Sequence, residues 1–122
     1  MARFAGSDQR LYLKVSSGRI EGMLKVGKKE LFYRDRVGKC ISMSPLCVLD
    51  FYVHDSIQRK GIGKSLFLKM LLSEDVTPNK LAYDRPSHKL LHFLKKHFNL
   101  HRYISQNNNF VIYDDYFEVE WW

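Results

Sequence analysis

No stretch of this sequence is long and apolar enough to span a bilayer, which takes about 20 residues; the uncharged run over residues 41–49 falls well short. No apolar segment follows Arg3, so a secretory signal is not expected. There are only two cysteines, Cys40 and Cys47, too few for a disulfide framework or a zinc set. A reducing, intracellular compartment is the expectation. Internal repeats are absent, and the only biased stretch is Gln106-Asn107-Asn108-Asn109. Acidic residues are the scarcer charge: 13 Asp+Glu against 20 Lys+Arg, a net +7.

What is present suits one domain. The chain has 122 residues, 45% hydrophobic and 14% aromatic, enough for a core and too much for a disordered chain. Charge is unevenly placed. Residues 1–102 carry all 20 basic side chains against 9 acidic ones (+11), and residues 103–122 add only Asp114, Asp115, Glu118 and Glu120 (−4). A basic body attracts anionic partners, whether nucleic acid, phosphorylated cofactor, acidic leaflet or acidic protein. No RRM, KH or zinc-finger pattern accompanies it, so nucleic acid is not the expected partner, and neither is a membrane.

Hydrophobic periodicity divides the chain. Residues 10–15 (RLYLKV) alternate as a half-buried strand, and Ser16-Ser17-Gly18 marks a turn. Residues 20–26 and 30–34 read as strands joined across Gly27-Lys28-Lys29 into a hairpin. Residues 34–45 read as a polar loop, and 46–53 (LCVLDFYV) as the buried central strand. The period then becomes helical, with Ile62, Leu66, Phe67, Met70 and Leu71 on one face until Pro78. Residues 81–83 form a short strand. Asp84-Arg85-Pro86-Ser87 opens a helix with Leu90, Leu91, Phe93, Leu94 and Phe98 on its apolar face. Residues 100–104 and 110–113 read as two more strands. The order β-β-β-β-α-β-α-β-β predicts an α/β (α+β) fold, a mixed sheet flanked by helices.

The sharpest chemical signal is Gln58-Arg59-Lys60-Gly61-Ile62-Gly63-Lys64, between the strongest strand and an amphipathic helix. Glycine lets backbone approach a ligand, and the N–H groups of a helix start bind phosphate. Arg59, Lys60 and Lys64 add positive charge. The spacing is neither a Walker loop nor the Rossmann fingerprint. A Q-x-x-G-x-G element in this position is what acetyl-CoA-dependent N-acetyltransferases use for pyrophosphate. The bland alternative is a glycine turn with solvated cations.

Four segments together resemble the catalytic domain of the α-tubulin N-acetyltransferase family. They are residues 45–54 (PLCVLDFYVH), 58–64 (QRKGIGK), 81–91 (LAYDRPSHKLL) and 108–113 (NNFVIY). The likeness covers residues 11–117; residues 1–10 are unmatched, so the family's N-terminal section is expected to be missing, and 118–122 form a short acidic, aromatic end. The resemblance implies a GNAT-like fold that binds acetyl-CoA as cosubstrate, without a metal. Its target would be a lysine on the lumen-facing loop of α-tubulin. The implied setting is cytoplasmic, on microtubules including the cilium or flagellum axoneme, with the protein a monomer. An acetyl-CoA fold with weak catalysis, acting as a microtubule-associated binding module, is the alternative.

The family's cofactor-binding segments map onto residues 51–64 and 87–96. Phe51, Tyr52, Val53 and His54 would follow the pantetheine arm. Gln58, Arg59, Lys60, Gly61, Ile62, Gly63 and Lys64 would meet the diphosphate, and Ser87, His88, Lys89 and Lys96 would cover the other side. Asp84 corresponds to a functional acid of the family, and is also a good residue to cap the helix that follows. Cys47 corresponds to a position proposed to assist catalysis, though a strand cysteine is more often a small hydrophobe. Asp50, placed by strand alternation on the face opposite Cys47, either fixes the acceptor lysine or pairs with a cation. Lys25, Lys28, Lys29 and Arg59 are candidate contacts to the acidic microtubule, and Phe32 beside them packs or touches the partner. His88 and His92 share metal-pair spacing, but with no third ligand evident a solvated helix face is expected.

Overall fold

The structure, a computed structural model, describes residues 2–3, 8–54 and 61–117. Among them run β1 (Ala2–Arg3), β2 (Arg10–Ser16), β3 (Arg19–Lys28), β4 (Leu31–Arg34), β5 (Cys40–Met43) and β6 (Leu46–Val53). Then follow α1 (Ile62–Glu74), β7 (Ala82–Asp84), α2 (His88–Phe98) and β8 (Phe110–Ile112). Two 3-10 turns, Pro78–Lys80 and Asp114–Phe117, precede β7 and end the described chain.

The apolar run of β6 takes the sheet interior, in the order β1-β2-β3-β6-β7-β8. It pairs antiparallel with β3 and parallel with β7. One face of the sheet carries α1 and α2. Their Leu66, Phe67, Met70, Leu90 and Leu94 bury against Leu24, Val26, Val48 and Tyr83. Rings from both helices and β6 interlock there: Phe67 lies 5.5 Å from Phe93, 5.4 Å from Phe98 and 6.0 Å from Phe51. Phe67 alone, fully buried, contributes about 2–3 kcal/mol of burial.

The opposite face is covered by β4 and β5, which form a separate two-stranded sheet. Leu31 and Tyr33 pack there on Cys47, Ala82, Phe110 and Ile112. This corrects the expected hairpin of residues 20–26 with 30–34. β3 continues through Gly27 and Lys28, which pair with Cys47 and Leu46, and its other edge is taken by β2. With both edges of β3 used, β4 finds its partner inside the presumed loop, Leu31 opposite Met43 and Arg34 opposite Cys40. The tight turn between them is tied by Asp35, whose carboxylate accepts from the amides of Val37 (3.0 Å) and Lys39 (2.9 Å).

Residues 100–104 do not make the expected strand. Only a single bridge, Tyr103 with Tyr113, joins them to the sheet. Gln106 turns aside and clamps the free edge of β4, accepting from Arg34 N and donating to Arg34 O, each at 3.0 Å. β1, absent from the sequence reading, adds an edge beside β2.

Candidate active site

β6 and β7 pair only at Cys47–Ala82 and Val48–Tyr83. Beyond Val48 the two strands part, and no described strand pairs with the β7-side edge of Leu49, Asp50, Phe51 and Tyr52. The parting opens a mouth in the sheet with Asp84, the last residue of β7, on its rim. A parallel pair that separates in mid-sheet leaves backbone donors and acceptors facing a cleft, and a ligand can take them up.

A bulge shapes that mouth. Lys25 pairs with Asp50 and Val26 with Val48, so Leu49 is an extra residue on β6. The inserted residue shifts the phase of alternation. Phe51 therefore joins Val48 in the helix-side cluster, while Leu49 packs with Cys47 on the other side. Asp50 faces with Lys25, 3.4 Å away, and Lys25 alternates with the helix-side residues Leu24 and Val26. Asp50 thus lies on the same face as Cys47. The expectation of opposite faces fails because strict alternation does not survive the bulge.

Asp84 is largely enclosed, with 13% of its side chain exposed, and accepts from Arg85 Nε at 3.3 Å. It does not cap α2. Ser87 is the N-cap, its hydroxyl accepting from Leu90 N at 3.1 Å. Asp84 is too early because Arg85 turns the chain through a left-handed conformation, φ 43°.

Cys47 is fully buried, its thiol donating to Pro45 O at 3.4 Å. Burial, reinforced by the negative charge of Asp84 and opposed by the Lys29 amide, pushes its pKa up to about 11. It is a thiol at neutral pH, and the thiolate is the nucleophilic form.

α1 begins just past the end of β6. Gly61 stands before its first turn at φ 76°, where a side chain would be strained, and its Cα faces open space. No acidic residue lies in the first turn of α1, and the positive end of a helix dipole favours an anion. Gly63 is also closely packed: a Cβ there would meet Val53 at 3.3 Å and Phe51 at 3.6 Å. Ile62 likewise turns inward, over Gly22. From α2, His97 rests 4.9 Å from the Phe93 ring. Its pKa is held below the usual histidine value by desolvation, then by the positive charges of Lys64, Lys96 and His92.

Other predicted positions divide. Gln58, Arg59 and Lys60 lie outside the described residues. Tyr52 is half exposed, and Val53 and His54 half-buried, at the α1 end of β6. His88, Lys89, His92 and Lys96 are exposed along α2. Lys28 pairs with Leu46 at the far end of β6, roughly 23 Å from Val53 at roughly 3.3 Å per residue. Lys28 and Lys29 thus sit apart from the phosphate end, whereas Lys25 lies beside the mouth. Sequence reasoning missed Arg85; a left-handed arginine before proline leaves no periodic signal.

Residues 1–121 match the family described as GNAT acetyltransferase, Mec-17. The chain belongs to that family. The α-tubulin N-acetyltransferase of Tetrahymena thermophila is 59% identical over 115 residues, covering 94% of this chain and 29% of that protein. That of Trichoplax adhaerens is 50% identical over 125 residues, covering 97% of this chain and 52% of that protein. The chain thus spans about half or less of the length of these relatives. Among solved structures, the xEco2 acetyltransferase domain bound to a CoA conjugate superposes with TM-score 0.60 at 17% identity, covering 93% of this chain and 73% of that one. That likeness supports the GNAT fold.

Proposed function

We propose that this chain transfers the acetyl group of acetyl-CoA to the side-chain amine of a lysine on the lumen-facing loop of α-tubulin. The observation that carries the reading is the mouth between β6 and β7, with Asp84 on its rim and the first turn of α1, which holds no acidic residue, beside it. The names of the relatives support the substrate.

The residues suit acetyl-CoA. The exposed edge over Leu49, Asp50, Phe51 and Tyr52 offers backbone hydrogen bonds to an extended pantetheine amide chain. Gly61, the first turn of α1 and Lys64 suit its diphosphate. When bound, acetyl-CoA supplies a thioester carbon open to attack by an amine. The chain's part is to hold that carbon, to donate a backbone N–H of β6 to the developing oxyanion, and to remove a proton from the lysine. A free lysine has pKa ~10.4 and arrives charged. Asp84 is the base or orienting acid we assign to it, with Asp50 and Lys25 lining the acceptor side. Cys47, protonated and buried, serves as packing beneath them, so transfer is direct with no acetyl-cysteine intermediate. The domain works over residues 11–117, as a monomer, in the cytoplasm on microtubules, axonemal ones included.

An inert binding module has no use for an enclosed carboxylate at the cleft, which favours transfer. The test is turnover: the protein, acetyl-CoA and polymerised tubulin, with acetyl-lysine read by mass spectrometry. Stoichiometric binding to polymer without acetylation would favour the module; acetylation lost in Asp84→Asn with binding kept would support the enzyme.

A further inference from the structure

Arg85 holds a backbone conformation that its sequence does not favour. Its φ is 43°, in the left-handed region, where the Cβ of an L-residue crowds the following carbonyl. It also precedes Pro86, and a residue before proline is ordinarily extended. Its surroundings hold it there. Asp84 is fixed opposite Phe110 at the end of β7, and Ser87 caps α2. Between them the Arg85 N–H donates to Asn109 O at 3.1 Å. Asn109 is itself left-handed, φ 62°, so the asparagine-rich turn before β8 grips the link between β7 and α2. Strain kept in place by its surroundings is found above all at functional sites.

The conformation decides where the side chain goes. In a continuing strand, Arg85 and Asp84 would point to opposite faces. Turned left-handed, Arg85 folds back along its neighbour, and its Nε donates to Asp84 Oδ1 at 3.3 Å. Among the described residues no other group hydrogen-bonds that carboxylate, and Oδ2 has no partner. An ion pair whose arginine side chain is 75% exposed contributes little to stability, so it does not offset the cost of a left-handed arginine. The contact is better explained by what it does to Asp84 than by what it adds to the fold.

We infer that Arg85 is a positioning residue for acetyl transfer: it holds Oδ1 of Asp84 and leaves Oδ2 to meet the ammonium group of the acceptor lysine. The guanidinium stays charged at any working pH, so it neither gives nor takes a proton, and it acts through Asp84 alone. This rests on the reading of Asp84 given above and adds the group that fixes the direction of its carboxylate.

Arg85→Gly separates strain from function. Glycine accepts φ 43° without strain, so the unfolding midpoint should hold or rise, and calorimetry should find acetyl-CoA affinity unchanged. Turnover on polymerised tubulin should fall about 10–100-fold, the scale on which small misplacements of a reacting group act. The loss should fall on the same constant, kcat or KM for tubulin, as the loss in Asp84→Asn. Arg85→Lys keeps the charge without the planar fork, and its turnover should lie between that of Arg85→Gly and that of the unaltered protein. In the double variant Asp84→Asn, Arg85→Gly the second change should cost no more than about twofold, because the group it acts through is already gone. Should Arg85→Gly not fold, Arg85→Asn, which also accepts a left-handed backbone, carries the same expectations. Unaltered turnover in the folded variant, a loss on the other constant, or losses that multiply in the double variant overturn the inference and leave Asp84 in its role. Normal turnover by Asp84→Asn overturns both.

Discussion

Asp84 and Ser87 divide between them two roles, acid and helix cap, that the sequence alone leaves open for Asp84. With Ser87 as the cap of α2, Ser87→Ala should cost about 1 kcal/mol of stability, measured by chemical denaturation. Asp84→Asn should do the opposite. Its unfolding midpoint should stay within experimental scatter, and turnover should drop by ~10²–10⁴ if the carboxylate is the base. A drop confined to the apparent affinity for tubulin would make Asp84 an orienting group. Cys47 gives a pH signature. Its thiol is held from an ordinary 9.0 up to about 11 by burial, so the folded state binds that proton more tightly than the unfolded state. The stability this gives is complete below pH 9 and is lost as pH climbs through about 11, on the order of 2–3 kcal/mol in all. The stability gap between the protein and Cys47→Ala should therefore narrow between pH 9 and 11 in denaturation curves. A constant gap would mean the thiol titrates normally. The face of Asp50 was not legible in the sequence, because one inserted residue, Leu49, reverses a period-two pattern without altering composition.

At the scale of elements, the strands and helices with strong periodicity were legible: β6 from its apolar run, α2 from its spaced leucines and phenylalanines, the start of α1 from Gly61. The partnering of strands was not, since Gly27-Lys28-Lys29 satisfies a turn pattern while the backbone there continues in β3. Competition for edges decides such cases, and edges are a property of the assembled sheet. The two glycines of the loop also separate by role. Gly61→Asn tolerates a left-handed backbone and should keep the fold, while its side chain stands where the diphosphate approaches and weakens acetyl-CoA binding. Gly63→Val places methyls into a space where even a Cβ sits 3.3 Å from Val53. Overpacking of this kind costs ~1–3 kcal/mol, and it displaces α1 from the β6 edge. Calorimetry should show weaker acetyl-CoA binding for Gly61→Asn with its unfolding midpoint kept, and lost stability for Gly63→Val; normal binding by a folded Gly61→Asn would remove Gly61 from the diphosphate site.

Across the whole molecule, distant segments are held by a few polar ties. Glu74, at the end of α1, receives Arg10 Nε at 2.7 Å and a second guanidinium nitrogen at 2.6 Å, and Tyr12 donates to the same carboxylate. The pair is mostly buried, with side chains 16% and 8% exposed. Glu74→Ala leaves Arg10 enclosed without its partner and should destabilise by ~3–5 kcal/mol, whereas Asp50→Ala, breaking an exposed pair with Lys25, should cost under ~1 kcal/mol. The +11 body predicts that salt weakens association with polymerised tubulin more than it weakens acetyl-CoA binding, since exposed charges are screened over ~8–10 Å; sedimentation with microtubules across a salt series checks it. The clamp on β4 has a consequence for the order of events on the ribosome. Gln106 binds Arg34 and Asp114 binds Arg36 at 2.6 Å, and the apolar bed beneath β4 includes Phe110 and Ile112. The small sheet of residues 31–43 is synthesised early but lacks Phe110 and Ile112 of its bed, and its ties to Gln106 and Asp114, until those late residues emerge. Nascent chains stalled before residue 100 has left the tunnel should therefore leave Tyr33 open to proteolysis, and chaperones have that interval in which to act.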